Sequence, residues 1–414
     1  MKLSRFDYIL FFCWLSLGVI GLIAIYSATQ GPMHIDTHIA GNFSRQVLHV
    51  FIGLALILLI QFVPSNTFLT FSWLLYIATI VIGILTILFG VEVAGERNWL
   101  NVGGFRLQIS EFMKTATVLV VAAWLSVNRK AHAGQFKTVL IITTLIILPV
   151  VLITIMGDTG TSLVFVILLA FVLFWSGLPY GLCLIMISPG VLAYLSVVNW
   201  IVALVFAILI PLAVFILEKK PVLTFLSFVF SLLVVIGVQV AMMEVLQPHQ
   251  QTRVEAFVNP SADPLGAGWN VIQAKTAIAS GGVFGKGFMQ GTQTQLRFLP
   301  EQQTDFIFCV ISEEFGFIGA GFVLLLFAIM LSRLLFLARS HKHPFAQIVI
   351  FGIASVFLIH IFINLGSAMS FLPVIGIPLP LLSYGGSSFI NFSIMIGIAL
   401  NLYLYEHDFS IYSS

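Results

Sequence analysis

Apolar runs long enough to cross a bilayer follow one another along almost the whole chain. A spanning helix takes about 20 such residues. By that measure twelve segments stand out, at roughly 8–28, 45–63, 67–90, 110–127, 137–156, 159–177, 180–197, 200–217, 222–246, 305–336, 346–371 and 387–405. The pattern predicts an all-α polytopic membrane protein with about twelve transmembrane helices, one integral membrane domain over 1–414. Most breaks between segments are short. The exception is the polar interval 247–303, a large loop (247–304 with its boundary) that holds an Asp in a turn (Asp263), a helix-like run from Trp269 to Ser280 with Lys275, and a Gly-rich tail with Lys286. A loop of this length is usually functional or disordered, and its Pro, Gly and aromatic content points to a shaped site.

Composition agrees. The chain is 60% hydrophobic and 8% charged, with a mean hydropathy of +1.10. No soluble domain hides that much apolar surface. The net charge of +2 gives no sign of a nucleic-acid partner. Cys13, Cys183 and Cys309 lie in apolar segments without disulfide or zinc spacing, and the nine histidines are scattered along the chain. The first apolar run lacks a cleavage site and reads as a retained helix.

Charge assigns the sides. With the N-terminus inside, Lys2, Arg5, Arg129, Lys130, Lys137, Lys219, Lys220, Arg333, Arg339 and Lys342 fall on the cytoplasmic side, as the positive-inside rule requires. The loops 29–44, 91–109, 247–303 and 372–386 then lie outside, and the C-terminus returns inside. Arg45, Arg97, Arg106, Lys114, Arg253, Lys275, Lys286 and Arg297 sit on the disfavoured outer side or at its edge. Anionic headgroups or a bound anionic substrate would each account for them.

Several groups are candidates for chemistry. Glu111 and Lys114 are three apart and share a helix face, either as a structural ion pair or as a substrate-binding pair. Arg45 is an interfacial anchor or a phosphate ligand. Asp158 reads as a helix N-cap, with a polar cavity wall as the second reading. Ser280–Gly287 departs from the phosphate-loop pattern at Ser280 and Gly287, so its glycines more naturally end a helix and permit a tight return. Asp305, Glu313 and Glu314 lie along the tenth segment, with functional and structural roles both open. Pro373–Ser388 holds three prolines and three glycines, which excludes a regular helix. Irregular backbone at membrane depth must be covered by protein or water, so a re-entrant loop offering hydroxyls and amides to an anion is expected, Ser383 among them.

Ala262-Asp-Pro-Leu-Gly-Ala-Gly268, Gly291-Thr-Gln-Thr-Gln-Leu296, Phe298-Leu-Pro-Glu301, Thr304-Asp-Phe-Ile-Phe308, Glu313-Glu-Phe-Gly316 and Pro378-Leu-Pro380 with Ser383-Tyr-Gly-Gly-Ser-Ser388 together resemble the SEDS family (shape, elongation, division and sporulation). Arg45-Gln46, Trp99, Gln108-x-Ser-Glu111-x-x-Lys114 and Asp158-x-Gly-Thr161 match as well, in the right order over nearly the whole chain. The set looks more like the elongation member than the division member. The resemblance implies a peptidoglycan glycosyltransferase that polymerises lipid II at the outer face of a bacterial cytoplasmic membrane during elongation and shape maintenance. It also implies a class B penicillin-binding protein, a transpeptidase, as partner. Two departures from the family pattern are Ser367 and Ser370, where many members carry Met and Gly, and a surplus helix pair at 182–218 beyond the usual ten.

Such a reaction needs a base for the acceptor hydroxyl and a cationic cradle for the departing pyrophosphate. Asp263 is the expected catalytic base. Arg45, Glu111, Lys114, Lys275, Lys286 and Ser383 are the expected substrate-binding residues, with Arg253 a further cation and a divalent cation (Mg or Mn) as an optional helper. The alternative is a lipid II flippase without chemistry; that class is expected to place polar residues near the midplane in repeated halves, and neither is visible here. A non-catalytic scaffold for the crosslinking enzyme would leave the outer charges without a purpose.

Overall fold

The computed structural model describes residues 6–30, 37–93, 96–102, 105–128, 135–245, 258 and 268–406. The helices are α1 (Tyr8–Thr29), α2 (Thr37–Ile60), α3 (Ser65–Phe89), α4 (Ile109–Val127), α5 (Phe136–Ile155), α6 (Thr159–Trp175), α7 (Tyr180–Val198), α8 (Trp200–Glu218) and α9 (Pro221–Val240). After the polar interval come α10 (Trp269–Ser280), the single turn α11 (Thr292–Gln295), α12 (Ile307–Ser340), α13 (Pro344–Ala368) and α14 (Gly386–Leu404). Eleven of these are long and apolar enough to span, and α6 is a shorter apolar helix, so the twelve expected segments are all present.

Two compact units share the chain. The first comprises 1–129, 144–168 and 273–414, and the second 130–143 and 169–272. In the first unit α4, α13 and α14 are enclosed by protein, with 89%, 78% and 83% of their spanning windows buried, against 17% and 22% for α2 and α3. Lipid is as apolar as leucine, so hydrophobicity does not sort helices inward in a bilayer; small and polar side chains do. The inner helices carry them: Thr115 bonds Asn391 at 2.6 Å, Ser393 takes the Trp14 indole at 3.0 Å, and Asn401 holds the carbonyls of Ile60 and Val63 at 2.8 and 2.9 Å. In the second unit α7, α8 and α9 pack on one another around Leu192, Ala203, Ala207, Ile210 and Val235. α7 and α8 occupy the range 182–218 in which two helices are expected.

The segment 91–109, expected only as a loop, carries regular structure. A three-stranded antiparallel sheet, β1 (Val91–Val93), β2 (Glu96–Val102) and β3 (Phe105–Gln108), runs straight into α4. The pairs Val102↔Phe105 and Trp99↔Gln108 set its register. Strand alternation puts Glu96 and Asn98 on one face.

The chain between α13 and α14 forms no regular element over residues 373–379, yet Ile377, Leu379, Leu381 and Leu382 are buried. It enters the bundle. A Cβ at Gly21 of α1 would lie 2.8 Å from the Leu381 carbonyl oxygen, so only a glycine admits the loop there. Gly21 is eight residues from the end of α1 at Thr29, about 12 Å at 1.5 Å per residue. This is the re-entrant loop the sequence predicts.

Candidate active site

All the groups described below lie in the first unit. The start of α4 carries the expected ion pair. Glu111 and Lys114 are 2.9 Å apart and essentially without exposure. The Lys114 ammonium also lies 2.8 Å from Nε2 of His360 on α13 and 5.3 Å from the centre of the Phe392 ring. His360 Nδ1 is 3.2 Å from the Pro378 carbonyl of the re-entrant loop. Lys114 is thus a buried anchor for that loop rather than an open cation.

Asp158 caps α6 as expected, taking the Thr161 amide at 2.8 Å. Its other oxygen gathers Asn98 at 3.0 Å, Ser110 at 3.2 Å and Gln108 at 3.3 Å. One carboxylate therefore ties the sheet and the start of α4 to α6. Glu96, which shares Asn98 with it, and Asp305, which acts on Glu96, both lie outside the spanning helices. Burial, with Asp158 nearby, lifts Glu96 to about 7 against the opposing bond from Asn98. Burial and the neighbouring Glu301 lift Asp305 to about 6 against a bond from Thr304. Removing a carboxylate from water favours its neutral form, and a nearby like charge adds to the effect.

The Gly-rich tail has the structural role expected of it, through a device the sequence did not reveal. α12 breaks at Gly316 (φ 65°, ψ −161°). The break frees the carbonyls of Glu313 and Glu314 and the amides of Phe317 and Ile318. The tail satisfies all four: Lys286 N–H donates to Glu313 O and Gly287 N–H to Glu314 O, both at 3.0 Å, while Phe317 and Ile318 donate to Gly282 O and Val283 O at 2.9 and 3.2 Å. Backbone meets backbone at Gly285 and Gly316, where a Cβ on either would overlap the other strand. Buried backbone groups must be paired, and this exchange pairs them. The Glu313 carboxylate takes Lys286 Nζ at 2.8 Å and the amides of Gln293 and Thr294 at 2.9 and 3.0 Å. Glu314 bonds the Ser27 hydroxyl and Gln295, fastening the loop to α1. α10 is seated by Ala274 and Ala277 against Leu299, Phe306, Cys309 and Ala368.

At one end of the bundle these parts meet. Ser383 Oγ accepts from the Leu379 amide at 2.8 Å and donates to Thr304 O at 2.5 Å. Tyr384 N–H donates to Gln303 O at 2.8 Å, and Asn42 of α2 reaches the Gln303 side chain at 3.2 Å. Gln46 of α2 accepts from the Gly385 amide at 3.3 Å. Ser387 accepts from the Gln108 amide at 2.9 Å. The re-entrant loop, the 301–305 segment, α2 and the start of α4 thus form one polar rim over the apolar bundle.

Of the expected site residues, Arg45 and Lys275 are exposed and open to a ligand. Glu111, Lys114, Lys286 and Ser383 are engaged with protein partners beneath or beside the rim. Asp263 and Arg253 lie outside the described residues. Sequence reasoning missed His360, Asn98 and Asn364. His360 carried a signal, an ionisable group within a span, but its partner belongs to another helix. Among the described residues no group of three or more His, Cys, Asp or Glu is arranged to hold a metal ion.

Comparison with known proteins gives one answer. The chain matches the FtsW/RodA/SpoVE family, described as cell cycle protein, over residues 7–226 and 201–408. It is 31% identical to the peptidoglycan glycosyltransferase RodA of Treponema pallidum, covering 96% of this chain and 98% of that one. Against the peptidoglycan glycosyltransferase MrdB of Escherichia coli K12 the identity is 32%, with 95% and 92% covered. A solved chain from a peptidoglycan synthase complex that coordinates polymerization and crosslinking superposes with a TM-score of 0.73 at 26% identity, covering 96% and 98%. The RodA crystal structure from Thermus thermophilus shares the fold, with a TM-score of 0.63 at 22% identity over 98% of both chains. The rim, the re-entrant loop and the buried ion pair therefore belong to a member of the FtsW/RodA/SpoVE family.

Proposed function

We propose that the chain is a peptidoglycan glycosyltransferase that polymerises lipid II into glycan strands. The observation that carries the reading is the polar rim, built from loops far apart in sequence and set on an apolar bundle, in a chain near one-third identical over its length to enzymes of that name. A lipid-linked sugar substrate needs this division: apolar helix surfaces for the polyprenyl tail and a polar edge for pyrophosphate and sugar.

Each transfer removes a proton from the acceptor hydroxyl and releases pyrophosphate. Asp263 is the proposed base, since an ordinary Asp, with a pKa of about 3.9, is ionised at neutral pH. Arg45, Lys275 and Arg253 are the proposed phosphate ligands. Glu111, Lys114, Lys286 and Ser383 hold the re-entrant loop and the Gly-rich tail in place. Asp305 and Glu96 can each carry a proton near neutrality, which suits groups beside a proton transfer. A divalent cation enters the proposal only as a counter-ion to pyrophosphate; the described residues do not form a site for one, and no step runs through it.

On the distribution of basic residues, the protein then lies in the bacterial cytoplasmic membrane with both termini cytoplasmic and the rim outside. A class B penicillin-binding protein is the proposed partner, in keeping with the complex from which the similar solved chain comes. The test is purified protein with lipid II, with and without that partner. Glycan strands support the reading. Movement of labelled lipid II across vesicles without strands would replace it with the flippase alternative.

A further inference from the structure

We propose that His360 is a positioning residue for strand synthesis: its Nδ1 bond to Pro378 holds the re-entrant loop at the depth the outer rim requires. The inference rests on the glycosyltransferase reading above.

The loop has few ways to be held. Pro378 and Pro380 have no N–H, so no ladder of backbone bonds can run through them. Its carbonyls are held instead by α13. His360 and Asn364, one turn apart, take the adjacent carbonyls of Pro378 at 3.2 Å and Ile377 at 2.8 Å. Asn364 also takes Asp305 O at 2.8 Å. From there the contacts run outward through Ser383 to Thr304 and through Tyr384 to Gln303. A displacement at Pro378 therefore reaches the rim.

The opposite side of the imidazole fixes its state. An ammonium can only donate. With Lys114 Nζ at 2.8 Å, Nε2 must accept, which leaves the hydrogen on Nδ1 to point at Pro378 O. Lys114 is itself held by Glu111 at 2.9 Å, and the ring stands edge-on to Phe392 with centroids 5.0 Å apart. The imidazole is locked on both sides, so the place of the ion pair is passed to the loop.

The two nitrogens separate two roles, and two substitutions test them apart. Asparagine puts an amide N–H near the Nδ1 position and lacks the reach to Lys114. Glutamine puts an oxygen near the Nε2 position and loses the donor to Pro378. Each variant is purified with its partner and measured for thermal stability, strand synthesis per folded molecule, and hydrogen–deuterium exchange of the 377–385 segment. His360→Gln is expected to fold with stability near wild type, to exchange faster at Leu379, Ser383 and Tyr384, and to lose about 10–100-fold in synthesis, the scale set by displacements of about 1 Å. His360→Asn is expected to be less stable while keeping slow exchange and near-normal synthesis per folded molecule. Equal activity per folded molecule in both variants, or the reverse order, overturns the proposal in favour of a purely structural histidine. Failure of both to fold also overturns it, since Gln keeps the contact held to suffice for folding. If the wild type makes no strands, the glycosyltransferase reading falls, and the exchange comparison alone decides the positioning role.

Discussion

Replacing Glu313 tests the loop clamp most severely. The carboxylate is completely buried and receives Lys286 at 2.8 Å, two amides at 2.9 and 3.0 Å, and the hydroxyls of Thr292 and Ser280 at 3.3 Å each. Glu313→Ala strands the Gln293 and Thr294 amides. A buried donor without a partner costs about 1–3 kcal/mol, so the two together cost about 2–6. The Lys286 side chain is 26% exposed and regains water, so its loss adds at most about 1 kcal/mol. Glu313→Gln keeps one accepting oxygen and costs about 1–3 kcal/mol. Lys286→Met leaves the carboxylate with its amides and costs about 1 kcal/mol. Thermal unfolding of purified protein should rank Ala below Gln, and Gln below Met at position 286. If Lys286→Met instead keeps wild-type stability and loses lipid II affinity, Lys286 is a substrate ligand and the clamp assignment is wrong.

Three further outcomes are expected. Ser370 sits at φ 62°, with its hydroxyl buried and without a partner among the described residues; an L-residue pays about 1–2 kcal/mol there, so Ser370→Gly should raise thermal stability by about 1 kcal/mol. Glu96, raised to about 7 from 4.5, keeps a proton in the folded state that the unfolded chain releases, so stability falls as pH rises through that window; Glu96→Gln should flatten the pH dependence of the unfolding temperature between 4.5 and 7. Single cysteines placed at Asn270 and Ser340 should react and stay protected, respectively, towards an impermeant reagent in spheroplasts, with little background because Cys13, Cys183 and Cys309 are buried; the opposite pattern refutes the orientation.

The helices were legible because length and hydropathy are local properties. Twelve segments were expected, and helices occupy each, with ends differing by a few residues at most termini. The Trp269–Ser280 helix, the irregular re-entrant loop and the Asp158 cap were legible from local turn and capping chemistry. The sheet was not predicted, although Gly103-Gly104 between two short runs is a hairpin signal. The break at Gly316 was hidden among Gly316, Gly319 and Gly321, which look alike in sequence. Partners of buried charges were least legible. Glu313, Lys114 and His360 were visible as costly residues, but what satisfies each lies on a loop or helix 27, 246 and 18 positions away, respectively. Reach of that kind is a property of packing.

The most direct measurement is strand synthesis from lipid II by Asp263→Asn, beside wild type and Asp263→Ala. Asparagine keeps the size of the residue and removes its basicity. Loss of a positioned base costs about 10²–10⁴ in rate. Membrane levels and partner binding should be normal, with synthesis lowered by that factor in both variants. Near-full synthesis by the Asn variant, with the Ala variant failing to fold, would make Asp263 a turn residue and place the base elsewhere, with Glu301 or Asp305 next to be tested.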